Sequence, residues 1–147
     1  MWFFLKAVIL DTNHTEKIIE HLIAYGYDSF IIFREIETEY YRLNGVSITI
    51  LNNVQLENTR EIICKIRGSL KERFIIIYSS DILEIDLDGL YAFHHRHQCV
   101  ATLINSNCKL SGALLESEIF DYLENPCSFE KEALLKAGQD GEIRIYK

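Results

Sequence analysis

Reactive side chains gather at two places along the chain. The first is Phe93-His94-His95-Arg96-His97. On a helix, His94 and His97 stand at i and i+3 and share a face, a spacing that brings two imidazoles toward one metal ion. A convincing third ligand is missing nearby, because Cys99 is expected to point into a strand. The competing reading is a helix end, where His and Arg complement the negative pole of the macrodipole. The second place is the acidic run Asp81, Glu84, Asp86 and Asp88. Asp81 directly follows the apolar stretch 74–80, and a carboxylate just past the carboxyl end of a strand is placed to hold Mg2+. The bland readings are a loop aspartate at Asp81 and a helix cap at Asp86.

Other chemistries have little support. The chain contains no G-x-S-x-G elbow, the strand-to-helix turn that presents a serine nucleophile. The stretch Asp11-Thr12-Asn13-His14-Thr15 has no glycine that would let backbone amides close on a phosphate. Four cysteines, Cys64, Cys99, Cys108 and Cys127, form no C-x-x-C pair. They read as small buried thiols of a reducing compartment rather than a disulfide or zinc framework.

The elements that must position these groups follow from two alternating apolar periods. Residues 3–10, 30–33, 46–51, 74–78 and 99–104 are short runs rich in β-branched and aromatic side chains, the pattern of strands buried on both faces. Between them lie stretches of helical spacing. Ile18, Ile19, Leu22 and Ile23 make one apolar face, with His14 or Thr15 as N-cap and Gly26 as stop; Ile62, Ile63, Ile66 and Leu70 make another. Leu87, Leu90, Tyr91 and His94 make a third, with Asp86 placed to cap it. Further on, residues 112–115 read as a strand, Ser117 caps a short helix, 128–136 form a helix stopped at Gly138, and 142–146 alternate like an edge strand. Strand, helix, strand, helix is the signature of an α/β fold with a mainly parallel sheet covered on both faces.

With 147 residues, the chain is expected to form one domain, 1–147, that buries about two-thirds of the surface exposed when unfolded. Hydrophobic residues at 48% and a net charge of −7 exclude disorder and argue against nucleic acid, which is bound through concentrated Lys and Arg. Lys71 and Arg73 read as matched by nearby Glu72, Asp81 and Glu84. No apolar run approaches the roughly 18–20 residues of a membrane span. The opening residues lack the basic region and cleavage site of a signal peptide, so a buried first strand and a cytoplasmic location are expected.

In this order the segments resemble the sugar-1-phosphate nucleotidyltransferases, which make sugar nucleotides. Leu5-Lys6-Ala7-Val8-Ile9-Leu10 resembles their first strand, Glu16-Lys17-Ile18-Ile19-Glu20-His21-Leu22 their first long helix, and Tyr25-Gly26-Tyr27-Asp28-Ser29-Phe30-Ile31-Ile32 the following turn and strand. The strongest stretch is Phe74-Ile75-Ile76-Ile77-Tyr78-Ser79-Ser80-Asp81-Ile82-Leu83-Glu84-Ile85-Asp86-Leu87, similar to their central strand and aspartate turn. The tail, with Glu116-Ser117-Glu118-Ile119-Phe120-Asp121-Tyr122 and Gly141-Glu142-Ile143, looks most like glucose-1-phosphate cytidylyltransferases. The resemblance implies a three-layer Rossmann-like fold, a nucleotide or sugar phosphate as ligand, and Mg2+ as cofactor. It also points to Ser80 and Asp81 as the nucleotide-facing positions, with Asp81 as the metal ligand.

The departures bear on activity. Such enzymes carry a glycine-rich loop with a threonine-arginine pair after the first strand, then a proline-lysine-proline segment; here a handful of residues joins Leu10 to the helix. Their turn reads Gly-Asp; with Ile85-Asp86-Leu87 in register, Ser80 takes the aspartate position and Asp81 lies one residue late. The excursion expected between Leu103 and Gly112 is reduced to a turn, and the chain given ends before the second metal-binding aspartate. The resemblance therefore implies a shortened, catalytically impaired relative. Alternatively it is a binding or regulatory module that self-associates or pairs with a full-length nucleotidyltransferase.

Overall fold

A computed structural model of the chain describes residues 6–10, 14–34, 39–43, 45–52, 72–106, 109–122 and 138–146. In chain order the elements are β1 (Lys6–Leu10), α1 (Thr15–Tyr25), β2 (Ser29–Arg34), β3 (Glu39–Leu43), β4 (Val46–Asn52) and β5 (Phe74–Ile77). A 3-10 helix (Ser80–Glu84), α2 (Leu87–His97), β6 (Ala101–Ser106), β7 (Lys109–Leu115), a second 3-10 helix (Ser117–Tyr122) and β8 (Ile143–Tyr146) follow. The strands form an 8-stranded sheet in the order β3-β4-β2-β1-β5-β7-β6-β8. β3 and β7 run antiparallel to their neighbours, and the rest of the sheet is parallel. The chain is thus an α/β protein with a mixed, mainly parallel sheet.

Side chains alternate between the two faces of each strand. Ala7, Ile9, Phe30, Ile32, Ile48, Ile50, Ile75 and Ile77 share one core with Ile18 and Leu22 of α1 and Leu87 and Leu90 of α2, so both described α-helices cover the same face. Burying an Ile, Leu or Phe completely contributes roughly 1.5–3 kcal/mol, which makes this face the main source of cohesion. Val8, Phe33, Phe74 and Ile76 belong to the other face and are buried as well. There Phe120 of the second 3-10 helix stacks on Phe74, with ring centroids 5.7 Å apart. The helices expected over 62–70 and 128–136, and the strand residues expected before Lys6, lie outside the described residues.

Between α1 and α2 runs a seam of tyrosines. Tyr25 stacks on Tyr91 at 5.4 Å between centroids, its hydroxyl donates to the Leu87 carbonyl at 3.5 Å, and the Tyr27 and Tyr91 hydroxyls are hydrogen-bonded to each other. Burial, reinforced by Tyr91, pushes the Tyr27 hydroxyl pKa up; burial does the same at Tyr91. Burial and the nearby Asp88 carboxylate push Tyr25 up to about 12.

The structure revises several expectations. β3 was not anticipated: it closes a hairpin on β4 through the Leu43↔Val46 pair, where Gly45 has φ +82°. Asn44-Gly45 is a strong hairpin dipeptide because such turns need positive φ. The strand expected over 99–104 begins at Ala101, leaving Cys99 before it, and the one expected over 112–115 begins at Lys109. β6 and β7 therefore form a tight hairpin that inserts an antiparallel strand beside β5. The segment after Ser117 is 3-10, not α. Residues 138–139 are still helical, so no stop falls at Gly138. Asp86 takes the N-cap position of α2 without a side-chain capping bond.

Candidate functional site

Two polar regions stand at opposite edges of the sheet. β1 lies between β2 and β5, and the chain leaves β1 toward β2 but later enters β5 on the other side. In open α/β sheets such a reversal makes a ligand crevice at the carboxyl ends of the two strands where their connections part to opposite faces. Here α1 and α2 pack on the same face, so the position is marked by the strand ends alone. Tyr78 and Ser79 follow β5 there. Ser79 is extended, and its Oγ accepts the Asp81 backbone N–H at 3.3 Å, starting the 3-10 helix. Ile82 is fully buried and anchors that turn in the core. Ser80 and Asp81 are left half-buried just beyond the end of β5.

The acidic run does not converge on these strand ends. The Asp88 carboxylate acts on the Tyr25 hydroxyl, raising its pKa, and Asp86 sits beside Gly89 at the start of α2. Among the described residues no three His, Cys, Asp or Glu side chains group to hold a metal ion. The described residues offer no protein cage for Mg2+. Asp81 alone fits the ion only where a bound phosphate supplies other oxygens, a common arrangement for Mg2+.

At the amino-terminal edge the arrangement is denser. The last turn of α2 carries His94, His95, Arg96 and His97, and Gln98 caps it in a left-handed conformation, φ 49°. His94 is 2% exposed. Its Nδ1 lies 2.7 Å from Thr102 Oγ1 of β6, and its Nε2 lies 2.9 Å from Glu116 Oε1, just past β7. Arg73, immediately before β5, donates to the same Glu116 oxygen from Nε at 2.6 Å, and its Nη1 is 2.8 Å from His95 Nε2. Cys99 is buried, with Sγ 3.3 Å from Thr102 Oγ1 and 4.0 Å from His94 Nδ1.

Electrostatics follow from these contacts. Desolvation alone would raise the Glu116 pKa, but hydrogen bonds from His94 and Arg73, with their charges, outweigh it and hold the carboxyl below its ordinary range. Burial, then the Arg73 and His94 charges, hold His95 below the usual histidine value. An arginine only donates, so His95 Nε2 accepts. The Glu116 carboxylate only accepts, so His94 Nε2 carries a proton toward it. In the neutral ring His94 Nδ1 then accepts the Thr102 hydroxyl proton.

His94 and His97 do not come together as a metal pair. Both ring nitrogens of His94 face Thr102 and Glu116, whereas exposed His97 packs on Phe93 at 4.4 Å between centroids. The helix-end reading is the one the geometry carries. Arg73 pairs with Glu116, 43 positions away, whereas Asp81 and Glu84, expected to match it, follow the other end of β5. Sequence reasoning missed Glu116 and Thr102 as partners; the charge closing an apolar run at Leu115-Glu116 marks a strand end but not what it meets. Cys99 is free and buried as expected, while Cys64, Cys108 and Cys127 lie outside the described residues.

The described residues define an α/β protein with a mixed, mainly parallel sheet. No protein-family model matches the chain, and no curated protein matches it. Among the described residues no helix is long and apolar enough to cross a membrane.

Proposed function

We propose that this chain is a nucleotidyltransferase-like protein on a shortened three-layer scaffold. It would resemble enzymes that pass a nucleotidyl group from a nucleoside triphosphate to a sugar 1-phosphate, with that transfer absent or severely reduced. The observation that carries this reading is the link between β1 and α1. β1 ends at Leu10 and α1 begins at Thr15, and the intervening Asp11-Thr12-Asn13-His14 contains no glycine. So short a connection gives no loop to wrap a triphosphate. The β6–β7 link, closed by the Ser106↔Lys109 pair, is equally short and supports loss of a sugar-contacting excursion.

In-line transfer depends on neutralising phosphate charge as it moves. Each such element contributes a few kcal/mol, and about 1.4 kcal/mol is tenfold in rate, so losing two or three removes many powers of ten. Binding is less demanding. Ser80 and Asp81 stand just past the carboxyl end of β5, and Asp81 would hold a Mg2+ ion whose charge offsets that of a phosphate. On this reading the work is non-catalytic: a nucleotide or sugar phosphate held between β1 and β5. A second reading, pairing with another copy or with a full-length nucleotidyltransferase, is favoured by β8. Among the described residues that strand ends the sheet, with Ile145 51% exposed, and an edge of this kind suits strand pairing.

The test is a pyrophosphate-release assay with CTP, UTP, dTTP, GTP and ATP plus Mg2+ and glucose 1-phosphate, run beside thermal unfolding in the same mixtures. The reading expects no release above the blank. A ligand at about one hundred times its Kd would raise stability by roughly 2.7 kcal/mol, or about 5–10 °C. Turnover that disappears in Asp81→Ala would overturn the proposal of lost transfer. No melting shift at millimolar ligand, with a species larger than a monomer by light scattering, would move the reading to the β8 edge.

A further inference from the structure

The amino-edge network borders a cavity of about 350 Å³ lined by Arg73, His94, Cys99, Glu116 and Glu118 among others. That volume is at the small end of ligand pockets, roughly 300–1,000 Å³. It lies at the opposite edge from Asp81, so nothing about it depends on nucleotide binding. Its wall holds a nucleophile, a base and a group that orients the base, in hydrogen-bonding sequence. Cys99 Sγ is 3.3 Å from Thr102 Oγ1, that oxygen is 2.7 Å from His94 Nδ1, and His94 Nε2 is 2.9 Å from Glu116 Oε1. Arg73 fixes Glu116 from the far side at 2.6 Å. A base held by a carboxylate on its second nitrogen is the general arrangement for activating a thiol or hydroxyl.

We propose that this cavity is a thiol-exchange site, in which Cys99 reacts reversibly with low-molecular-weight disulfides. The step balances as follows. The Cys99 thiol proton passes to the Thr102 oxygen while the Thr102 hydroxyl proton passes to His94 Nδ1. The resulting imidazolium is held by Glu116 through Nε2–H. Cys99 Sγ attacks one sulfur of the disulfide, the new Sγ–S bond forms as the old S–S bond breaks, and the departing thiolate takes up the proton from His94. Cys99 is oxidised to a mixed disulfide, and half of the small disulfide is reduced to a thiol. A second small thiol reverses the step. Cys99 is the reacting group; Thr102, His94 and Glu116 act through it as relay and positioning residues. The Thr102 hydroxyl satisfies the buried His94 Nδ1 and in addition meets Cys99 Sγ, a contact that joining α2, β5 and β7 does not require.

The experiment treats the reduced protein with the neutral reagent 2-hydroxyethyl disulfide at pH 7 and follows mixed-disulfide formation at each cysteine by peptide mass spectrometry. Cys64, Cys108 and Cys127 serve as internal references in the same tube. Wild-type Cys99 is expected to react about a hundredfold faster than Cys99 in Thr102→Val, the low side of what a positioned base contributes. Thr102→Ser, which keeps the hydroxyl, is expected to restore most of the rate, and His94→Gln to lose it. A structural role for Thr102 would not separate Ser from Val in this way. Where Thr102→Val does not fold, the comparison of Thr102→Ser with His94→Gln decides. Cys99 reacting no faster in wild type than in these loss variants, including no reaction in any of them, overturns the proposal.

Discussion

His94 and Glu116, 22 positions apart, meet at 2.9 Å between Nε2 and Oε1. The contact joins the last turn of α2 to the end of β7. Because the same Glu116 oxygen accepts from Arg73, one carboxylate ties three elements at the amino edge: α2, β5 and β7. The pairs Phe74↔Leu115 and Ala101↔Leu115 make the meeting unavoidable, since they set Arg73, Glu116 and Thr102 around one corner of the sheet.

Glu116→Gln is expected to cost about 1.5–3 kcal/mol, the value of hydrogen bonds to a charged group, read as a lower urea midpoint at pH 7. The pH dependence has a definite sign. A carboxyl held below its ordinary value of about 4.5 contributes stability that is present above that value and is lost as pH falls through the folded pKa. His95, held below its ordinary value of about 6.5, works in the same direction, because the unfolded chain takes up its proton first. Wild-type stability is therefore expected to fall below pH 6.5 and again below pH 4.5. Glu116→Gln should flatten the lower step and, because the Glu116 charge partly offsets the depression of His95, deepen the upper one slightly; urea titrations from pH 3.5 to 8 distinguish the two.

At alkaline pH the tyrosine seam gives the opposite slope. Hydroxyls whose folded pKa lies above the ordinary value of about 10 contribute stability that is full below that value and is lost as pH rises toward the folded pKa. Each such tyrosine adds about 1.4 kcal/mol per pH unit of loss. Tyr27→Phe and Tyr91→Phe are each expected to reduce the slope between pH 10 and 11.5. Their combined cost at pH 7 should be less than the sum, because both remove the same hydroxyl pair. Equal slopes in wild type and Tyr27→Phe would show that Tyr27 ionises while folded.

Much of the sheet was legible because Phe30-Ile31-Ile32-Phe33 and Phe74-Ile75-Ile76-Ile77 are continuous apolar runs, which only strands buried on both faces require. α1 and α2 were legible from apolar spacing, with Gly26 at the end of one and Asp86 at the start of the other. β3 was hidden because the 39–43 segment is mixed in polarity, as an edge strand tolerates. The antiparallel insertion of β7 was hidden because runs of residues report burial, not direction. The place of Asp81 just past the end of β5 could be reached by placing an acid after a strand, which is local information. The amino-edge network could not, since strand register alone brings Arg73, Thr102 and Glu116 together.

The close packing of β7 on β5 predicts a sharp difference between two glycines. A Cβ on Gly112 would come within 2.5 Å of the Ile76 carbonyl oxygen, whereas one on Gly138 would meet only the end of Ile143 at 3.6 Å. Backbone cannot step aside as a side chain can. Gly112→Ala is therefore expected to cost about 1–3 kcal/mol, lowering Tm by several degrees at this chain length. Gly138→Ala should be neutral or mildly stabilising. Differential scanning calorimetry of the two variants checks the prediction, and equal Tm values would contradict the close approach.

Neighbouring residues of the 3-10 helix should separate scaffold from ligand contact. Ile82 is fully buried in the main core, so Ile82→Ala is expected to cost about 2–5 kcal/mol. Asp81 is half-buried, and the hydrogen bond that starts the helix uses its backbone N–H with Ser79 Oγ as acceptor. Asp81→Asn keeps that bond and should change stability by less than about 0.5 kcal/mol. Ser79→Ala, which removes the acceptor, should cost about 0.5–2 kcal/mol. If the carboxyl end of β5 holds a phosphate-bound Mg2+, Asp81→Asn will abolish the Mg2+-dependent part of any nucleotide-induced melting shift at unchanged intrinsic Tm. Ser79→Ala will lower the Tm and keep the shift. A shift that survives Asp81→Asn intact would place the ligand away from Asp81 and leave the acid with a purely local role in the turn.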